Sequence, residues 1–230
     1  MRWSFIIIYL DGIYLEQIIN SIKNQNNLTK DKFEIILIGP NNHSLKKVKS
    51  SVDVNIVFDE SIVTGWITMK KNIGVQHAKY ENVCIMHDYV GLCENWYNGY
   101  LTFGDNWDVC LNPVRTTTGS RYWDWISIDT SSNRKCFAKF ISYEDLTQTK
   151  TYMYVGGTYW CAKRQFMTEN SLDINMVHNG GEDVEWSMRC KDKWDYKLNL
   201  FSVSRLMKDK EVPIIDPNPS EIYSNSKIQL

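Results

Sequence analysis

A histidine, an aspartate and a tyrosine stand together at positions 87–89, directly after the apolar run NVCIM at 82–86. Imidazole and carboxylate side by side suit a divalent ion such as Mn²⁺, or the polar groups of a ligand; a strand-ending His87-Asp88 pair equally serves as a turn cap. A second constellation is Asn179-Gly180-Gly181-Glu182-Asp183-Val184-Glu185-Trp186. Its glycines let backbone and ligand approach closely. The acids after them open a helix whose dipole keeps carboxylates ionised, and an ionised carboxylate facing a cleft is a usable general base. Acids are also the common decoration of a first helical turn. A third group is Lys70, Lys71 and Asn72, which either reach phosphate oxygens or form a solvated helix face, the reading this segment alone favours. Trp123 and Trp125 offer rings for stacking on a sugar or for filling a core. His178 is a ligand or a cap, whereas His43 and His77 read as surface residues.

These residues need a frame that converges them. Residues 4–9 (SFIIIY) form an apolar run of the kind buried on both faces of a sheet, followed by Leu15, Ile18, Ile19 and Ile22 at helical spacing. Residues 33–38 (FEIILI), 54–58 and 82–86 read as further strands, and 65–79 as a helix. Such alternation within about ninety residues marks an open, mostly parallel α/β sheet. Ligands in these sheets sit beyond the carboxyl ends of the strands, which singles out Leu10-Asp11, Gly39-Pro40-Asn41-Asn42, Asp59-Glu60 and His87-Asp88-Tyr89. Residues 101–150 read as long loops and short elements over the sheet rather than a separate domain. Residues 152–161 (YMYVGGTYWC), with Gly156 and Gly157, return to strand character. Residues 182–191 read as a short helix, 196–203 as a last strand, and the segment after 208 as a surface-wrapped tail.

The bulk numbers narrow the function classes. The 230 residues are 43% hydrophobic and 23% charged, ordinary values for a globular chain. A net charge of −1 leaves no electrostatic case for nucleic-acid binding. The six cysteines (84, 93, 110, 136, 161 and 190) include no C-x-x-C pair, so buried free thiols in a reducing compartment are expected. The opening MRWSFIIIYLDG is too short in its apolar part for a signal-peptide core, and no stretch approaches the ~18 apolar residues of a membrane span. Action in the cytosol without a membrane span is the resulting expectation. No G-x-G-x-x-G, P-loop, G-x-S-x-G or H-E-x-x-H occurs, which removes the common dehydrogenase, kinase, serine-hydrolase and zinc-protease readings.

The order of the segments is more specific than any one of them. SFIIIYLDGIYLEQIINSIKNQ, FEIILIG, MKKNIGVQHAKYEN, VCIMHDYV, VGGTYWCAKRQF and GGEDVEWSMR follow one another over residues 4–190 in a sequence that resembles the GT-A glycosyltransferases, especially the large family-2-like group. The resemblance implies a Rossmann-like α/β fold. It divides residues 1–208 into a nucleotide-sugar half (1–100) and an acceptor half (101–208), with 209–230 as a tail. It further implies an inverting hexosyl transfer from a nucleotide-diphosphate sugar, UDP-linked by preference and GDP-linked as the alternative, to a hydroxyl of a glycan or glycoconjugate. Asp183 takes the catalytic-base position and Glu182 the orienting one. Asp88 and His87 take the position that holds diphosphate and a Mn²⁺ or Mg²⁺ ion. Lys71, Asp11, Asn41, Gly156 and Gly157 fall on the donor side, and Trp123, Trp125 and Gly181 on the acceptor side. Two departures stand out: the usual acidic triplet reads His87-Asp88-Tyr89, and the usual D-D-G-S after the second strand reads Gly39-Pro40-Asn41-Asn42. Two rivals remain: a sugar-binding protein of this fold without turnover, and a sugar-phosphate nucleotidyltransferase. The latter requires a Gly-rich, basic loop where Leu10-Asp11-Gly12-Ile13-Tyr14 stands.

Overall fold

The computed structural model describes residues 1–61, 66–129, 137–145, 153–176 and 181–210. In chain order its strands are β1 (Trp3–Ile8), β2 (Phe33–Gly39), β3 (Val54–Val57), β4 (Asn82–His87), β5 (Val90–Leu92), β6 (Val109–Leu111), β7 (Val114–Arg115), β8 (Ile126–Asp129), β9 (Phe137–Phe140), β10 (Met153–Tyr154), β11 (Tyr159–Lys163), β12 (Tyr196–Leu198) and β13 (Ser204–Leu206). Its α-helices are α1 (Leu15–Lys23), α2 (His43–Val48), α3 (Ile67–His77), α4 (Trp96–Phe103), α5 (Arg164–Glu169) and α6 (Glu182–Cys190).

The run of six buried residues in β1 has no polar alternation because the strand lies mid-sheet with both faces covered. It pairs in parallel with β2 on one side and β4 on the other. The main sheet has the order β12-β6-β11-β4-β1-β2-β3. Only β11 runs against the rest, being antiparallel to both β4 and β6. Helix α1 buries Leu15, Ile18, Ile19 and Ile22, the stripe its spacing predicts. At about 1.5–3 kcal/mol per fully buried aliphatic side chain, that stripe outweighs the helix's weak capping, and a charge at Ile18 would undo it. Helix α3 packs on the opposite face, where a Cβ on Gly74 would meet Ile6 Cγ2 at 2.3 Å. The glycine therefore lets the α3 backbone approach β1.

One expected strand proves to be divided and another cut short. Residues 152–161 split into β10 and β11 around Gly156-Gly157. The strand expected over 196–203 ends at Leu198 as β12, and β13 begins only at Ser204, in a different sheet. Asn199 causes the second break: its side chain accepts from Phe201 N (2.9 Å) and donates to Ser202 Oγ (2.9 Å), and such local bonds compete with a ladder. The described residues of the middle segment are loops and short strands, as expected, pinned by a buried polar knot. Arg121 Nη2 donates to Asp124 Oδ1 at 2.7 Å, Tyr143 Oη donates to Asp124 Oδ2 at 2.5 Å, and the guanidinium lies 4.0 Å from the Tyr143 ring centre. Cys84, Cys93, Cys110, Cys161 and Cys190 are free thiols, most of them buried; Cys136 lies outside the described residues. Among the described residues no helix is long and apolar enough to cross a membrane.

Candidate functional site

The chain runs outward through β1, β2 and β3, then returns to place β4 on the other side of β1. That reversal is the topological switch point, and a crevice opens there beyond the strands' carboxyl ends. It is a cleft of about 560 Å³, within the usual range for small-molecule sites. Asp11, His87, Asp88, Trp123, Gly156, Gly157, Glu182 and Asp183 all line it, so chain positions 172 residues apart converge on one crevice (183 − 11 = 172).

Asp88 ends the strand as both a wall and a tether. Its Oδ2 accepts from Leu10 N (3.2 Å) and Gly12 N (3.0 Å), fixing the loop after β1. Gly12 there has φ +67°, a conformation glycine adopts freely. Asn42 Nδ2 donates to Leu10 O (2.9 Å) and Ser44 Oγ to Asp11 O (2.7 Å), closing the loop from the other side. Burial raises the Asp88 carboxyl above its ordinary value, although the two amides pull the other way.

Opposite stands the start of α6. Gly181 precedes it at φ +74°, and Glu182, Asp183 and Glu185 occupy its first turn. Glu185 turns outward to Arg189 (2.7 Å). Asp183 turns inward: Gly157 N donates to its Oδ2 at 2.7 Å and Val184 N to its Oδ1 at 2.9 Å. Burial and the charge of Glu182 raise the Asp183 carboxyl above the usual carboxylate value, while Lys71 and the two amides oppose the rise. Ser187 Oγ accepts from Val155 N at 3.1 Å, so α6 and the glycine turn are tied as one unit. A Cβ on Gly157 would meet Asp183 Oδ2 at 2.9 Å and Glu182 Oε1 at 3.0 Å; one on Gly156 would meet Trp123 O at 2.3 Å. Close approach of backbone demands glycine at 156, and at 157 a side chain would displace the two acids.

The structure overturns the solvated-face reading of the two α3 lysines. Lys70 is 2% exposed and Lys71 0%. Lys70 Nζ lies 2.5 Å from Glu60 Oε1 at the cleft wall. Lys71 lies beneath the wall, where its Nζ donates to Gly157 O (2.9 Å) and Glu182 Oε1 (3.1 Å) and sits 4.4 Å from the Trp160 ring centre. The expected nucleotide contact thus differs from its observed place. One residue of helix turns a side chain by about 100°, which gives Lys70 the cleft and Lys71 the interior. Asn41 is exposed and does not line the cleft; its neighbour Asn42 makes the contacts, capping α2 through Leu45 N (3.0 Å). Trp125 lies in the core at 0% exposure, tilted against Tyr196. Trp123 faces the cleft and stacks on Phe140, with ring centres 5.5 Å apart. Gly181 serves the backbone turn into α6 and does not line the cleft. His178 and Gly180 lie outside the described residues.

Among the lining residues that escaped the sequence reading, two carry charge, Lys208 and Lys210. Strand β13 pairs antiparallel with β5, and Met207 N donates to Tyr89 O at 2.8 Å. That pairing carries the chain back across the cleft mouth, so the packed structure continues through Lys210; residues 211–230 lie outside the described residues. Both ammonium groups stand 4.3 Å from the Tyr89 ring centre, and Lys210 Nζ donates to Tyr89 Oη at 2.7 Å. The only sequence signal was two lysines spaced by two, which on an extended segment share a side.

His87 and Asp88 were expected to hold a divalent ion. The donor set present does not fit one. Among the described residues no three His, Cys, Asp or Glu side chains converge in ligating geometry. Asp88 Oδ2 is committed to two amides, and the third position is the phenol of Tyr89 beneath two lysines. His87 Nε2 is buried without a hydrogen-bond partner. Burial pushes the imidazole well below its usual value, and Lys71, Lys210, Lys70 and Lys208 add to the effect.

No protein-family model matches the chain, and no curated sequence does. Solved structures do. Residues 1–349 of S. aureus TarS superpose with a TM-score of 0.62 at 14% identity, over 91% of this chain and 59% of that one. The same TarS fragment in complex with UDP-GlcNAc gives 0.59 at 14% identity, over 92% of this chain and 60% of that one. GalNAc-T7 crystallised with UDP, GalNAc and Mn²⁺ gives 0.66 at 18% identity, over 92% of this chain and 44% of that one. The chain thus spans three-fifths or less of each of these structures. With the mostly parallel sheet, its one reversed strand and a cleft at the switch point, the chain has the Rossmann-like GT-A fold of glycosyltransferases.

Proposed function

We propose that the protein transfers a sugar from a nucleotide-diphosphate donor to an acceptor hydroxyl, with inversion and with Asp183 as base. The observation that carries this reading is the aim of Asp183 into the switch-point cleft, fixed by Gly157 N at 2.7 Å and raised in basicity by burial. A carboxyl of raised pKa binds a transferred proton more tightly than an exposed one. Asp183 takes the acceptor's hydroxyl proton as that oxygen bonds to the anomeric carbon. The bond from that carbon to the diphosphate oxygen breaks on the opposite side, and its electron pair leaves with the diphosphate. One displacement in a held geometry suffices, because the cleft supplies the orientation.

Glu182 beside Asp183 orients a sugar hydroxyl, and Lys71 beneath holds Glu182 and the glycine turn in register. Trp123, on the cleft wall, offers a ring face to a sugar. A uridine donor is the first to test, since TarS and GalNAc-T7 were crystallised with UDP-GlcNAc and with UDP respectively. The test is transfer or hydrolysis of a panel of UDP- and GDP-sugars, followed for released nucleotide. Turnover that disappears in Asp183→Asn supports the reading. Retention of nucleotide binding with no turnover on any donor would instead favour a sugar-binding protein of this fold.

A further inference from the structure

The leaving diphosphate gains negative charge as the glycosidic bond breaks, so the cleft must hold cations at that point. The acids Asp11 and Asp88 lie on the same wall and make the need greater. Lys70 is paired with Glu60 and Lys71 with Glu182. Lys208 and Lys210 differ from both: among the described residues neither forms an ion pair, and both line the cleft. Their ammonium groups share one aromatic ring, each 4.3 Å from the Tyr89 centre. The two therefore bring positive charge to the Tyr89 side of the cleft, offset in part by Asp88, whose carboxyl Lys208 lowers. Other bonds hold them there. Lys210 donates to Tyr89 Oη, Thr117 Oγ1 donates to Asp209 Oδ1 between them, and Met207 N donates to Tyr89 O.

From this geometry we infer that Lys208 and Lys210, seated on Tyr89, are the diphosphate-binding cations of this cleft and do the work a divalent ion would otherwise do. The inference rests on the transferase reading above. Charge arithmetic agrees with it: an acidic side chain plus a divalent ion contributes +1 (−1 + 2), whereas a phenol plus two lysines contributes +2 (0 + 2). The electron pair released to the diphosphate oxygen is met by two ammonium groups, and the acceptor proton goes to Asp183. Tyr89 gives the lysines an aromatic seat without adding a carboxylate that would neutralise them.

Calorimetric titration with UDP, GDP, CDP and TDP, each in EDTA and each with Mn²⁺, tests this directly. We expect one nucleotide to bind in EDTA, with an affinity Mn²⁺ changes by no more than about twofold. Lys208→Ala and Lys210→Ala should each weaken it by about tenfold or more, as expected for charge-assisted bonds to phosphate, and the double variant further. The nucleoside without phosphates should bind wild type and variants alike. Lys208→Arg with Lys210→Arg should restore most of the affinity, and Lys46→Ala with Lys47→Ala, two exposed residues of α2, should change nothing. Circular dichroism confirms that each variant is folded. Binding that requires Mn²⁺, or that survives loss of both lysines, overturns the inference and leaves the transferase reading standing. No binding by any nucleotide under either condition overturns both.

Discussion

Replacing Lys71 by methionine separates the structural from the chemical part of the site. The lysine is 0% exposed and makes two charge-assisted bonds, to Gly157 O (2.9 Å) and Glu182 Oε1 (3.1 Å), above the Trp160 ring at 4.4 Å. Each bond is worth roughly 1.5–3 kcal/mol and the cation–π contact about 2 kcal/mol when desolvated. Against these stands a desolvation cost of several kcal/mol for the buried ammonium, which methionine does not incur. Stranding one member of a buried pair typically costs about 3–5 kcal/mol. Glu182 is 14% exposed in its side chain and lines the cleft, so solvent reduces that cost. A net loss of roughly 2–4 kcal/mol follows, or about 5–15 °C in Tm for a domain of this size. Asp183 also loses the cation that lowers its carboxyl while keeping the repulsion of Glu182. Its value rises further, so the acid limb of the kcat profile moves to higher pH. The linkage sign follows from the same shift: a carboxyl whose folded value is raised favours the folded state below its unfolded value, and that contribution disappears as pH rises through the folded value. The stability deficit of Lys71→Met should therefore shrink on acidification from pH about 7.5 to about 5. Thermal melts at both pH values and a kcat–pH profile measure this. A variant with wild-type Tm and an unmoved acid limb would refute the account of Lys71 as the ion pair beneath the acids.

Asp183→Asn should lower kcat by about 10²–10⁴, the usual worth of a general base, while nucleotide affinity measured by calorimetry stays near wild type. In the wild type, kcat should fall as pH drops through a value above the ordinary aspartate range, because burial and Glu182 raise that carboxyl; a limb at the ordinary value would remove Asp183 from the base role. Gly157→Ala pushes a Cβ to 2.9 Å from Asp183 Oδ2 and 3.0 Å from Glu182 Oε1. Displacing both acids by a few tenths of an ångström should cost about ten- to a hundredfold in kcat, with a Tm change far smaller than that of Lys71→Met. The two tryptophans should separate cleanly. Trp125→Ala, which opens the core, should cost about 3–5 kcal/mol in denaturant unfolding. Trp123→Ala should cost much less stability and raise KM for the acceptor.

Short-range chemistry was legible from the sequence because it depends only on neighbours along the chain. Unbroken apolar runs can be satisfied only inside a covered parallel sheet, and the spacing of Leu15, Ile18, Ile19 and Ile22 admits one buried helix face. The ends of β1 and β4 and the acids opening α6 followed from the same reasoning, since a switch point places strand ends at a cleft. Other features required knowing which surfaces meet. Helix α3 is buried on more than one side, so Lys70 and Lys71 could not be separated from a solvated face by pattern alone. Trp123 and Trp125 stand two apart, a spacing that on an extended strand would give both the same side; the bends at 123–125 separate them, and only packing decides which of the two faces water. Lys208 and Lys210 looked like the start of a polar tail until the pairing of β13 with β5, more than a hundred residues earlier, folded them over Tyr89. A strand's partner at that separation is chosen by the whole sheet's burial and hydrogen bonding rather than by local preference. Thus the chain's own order named the acids of the cleft, and tertiary structure alone supplied the cations that face them.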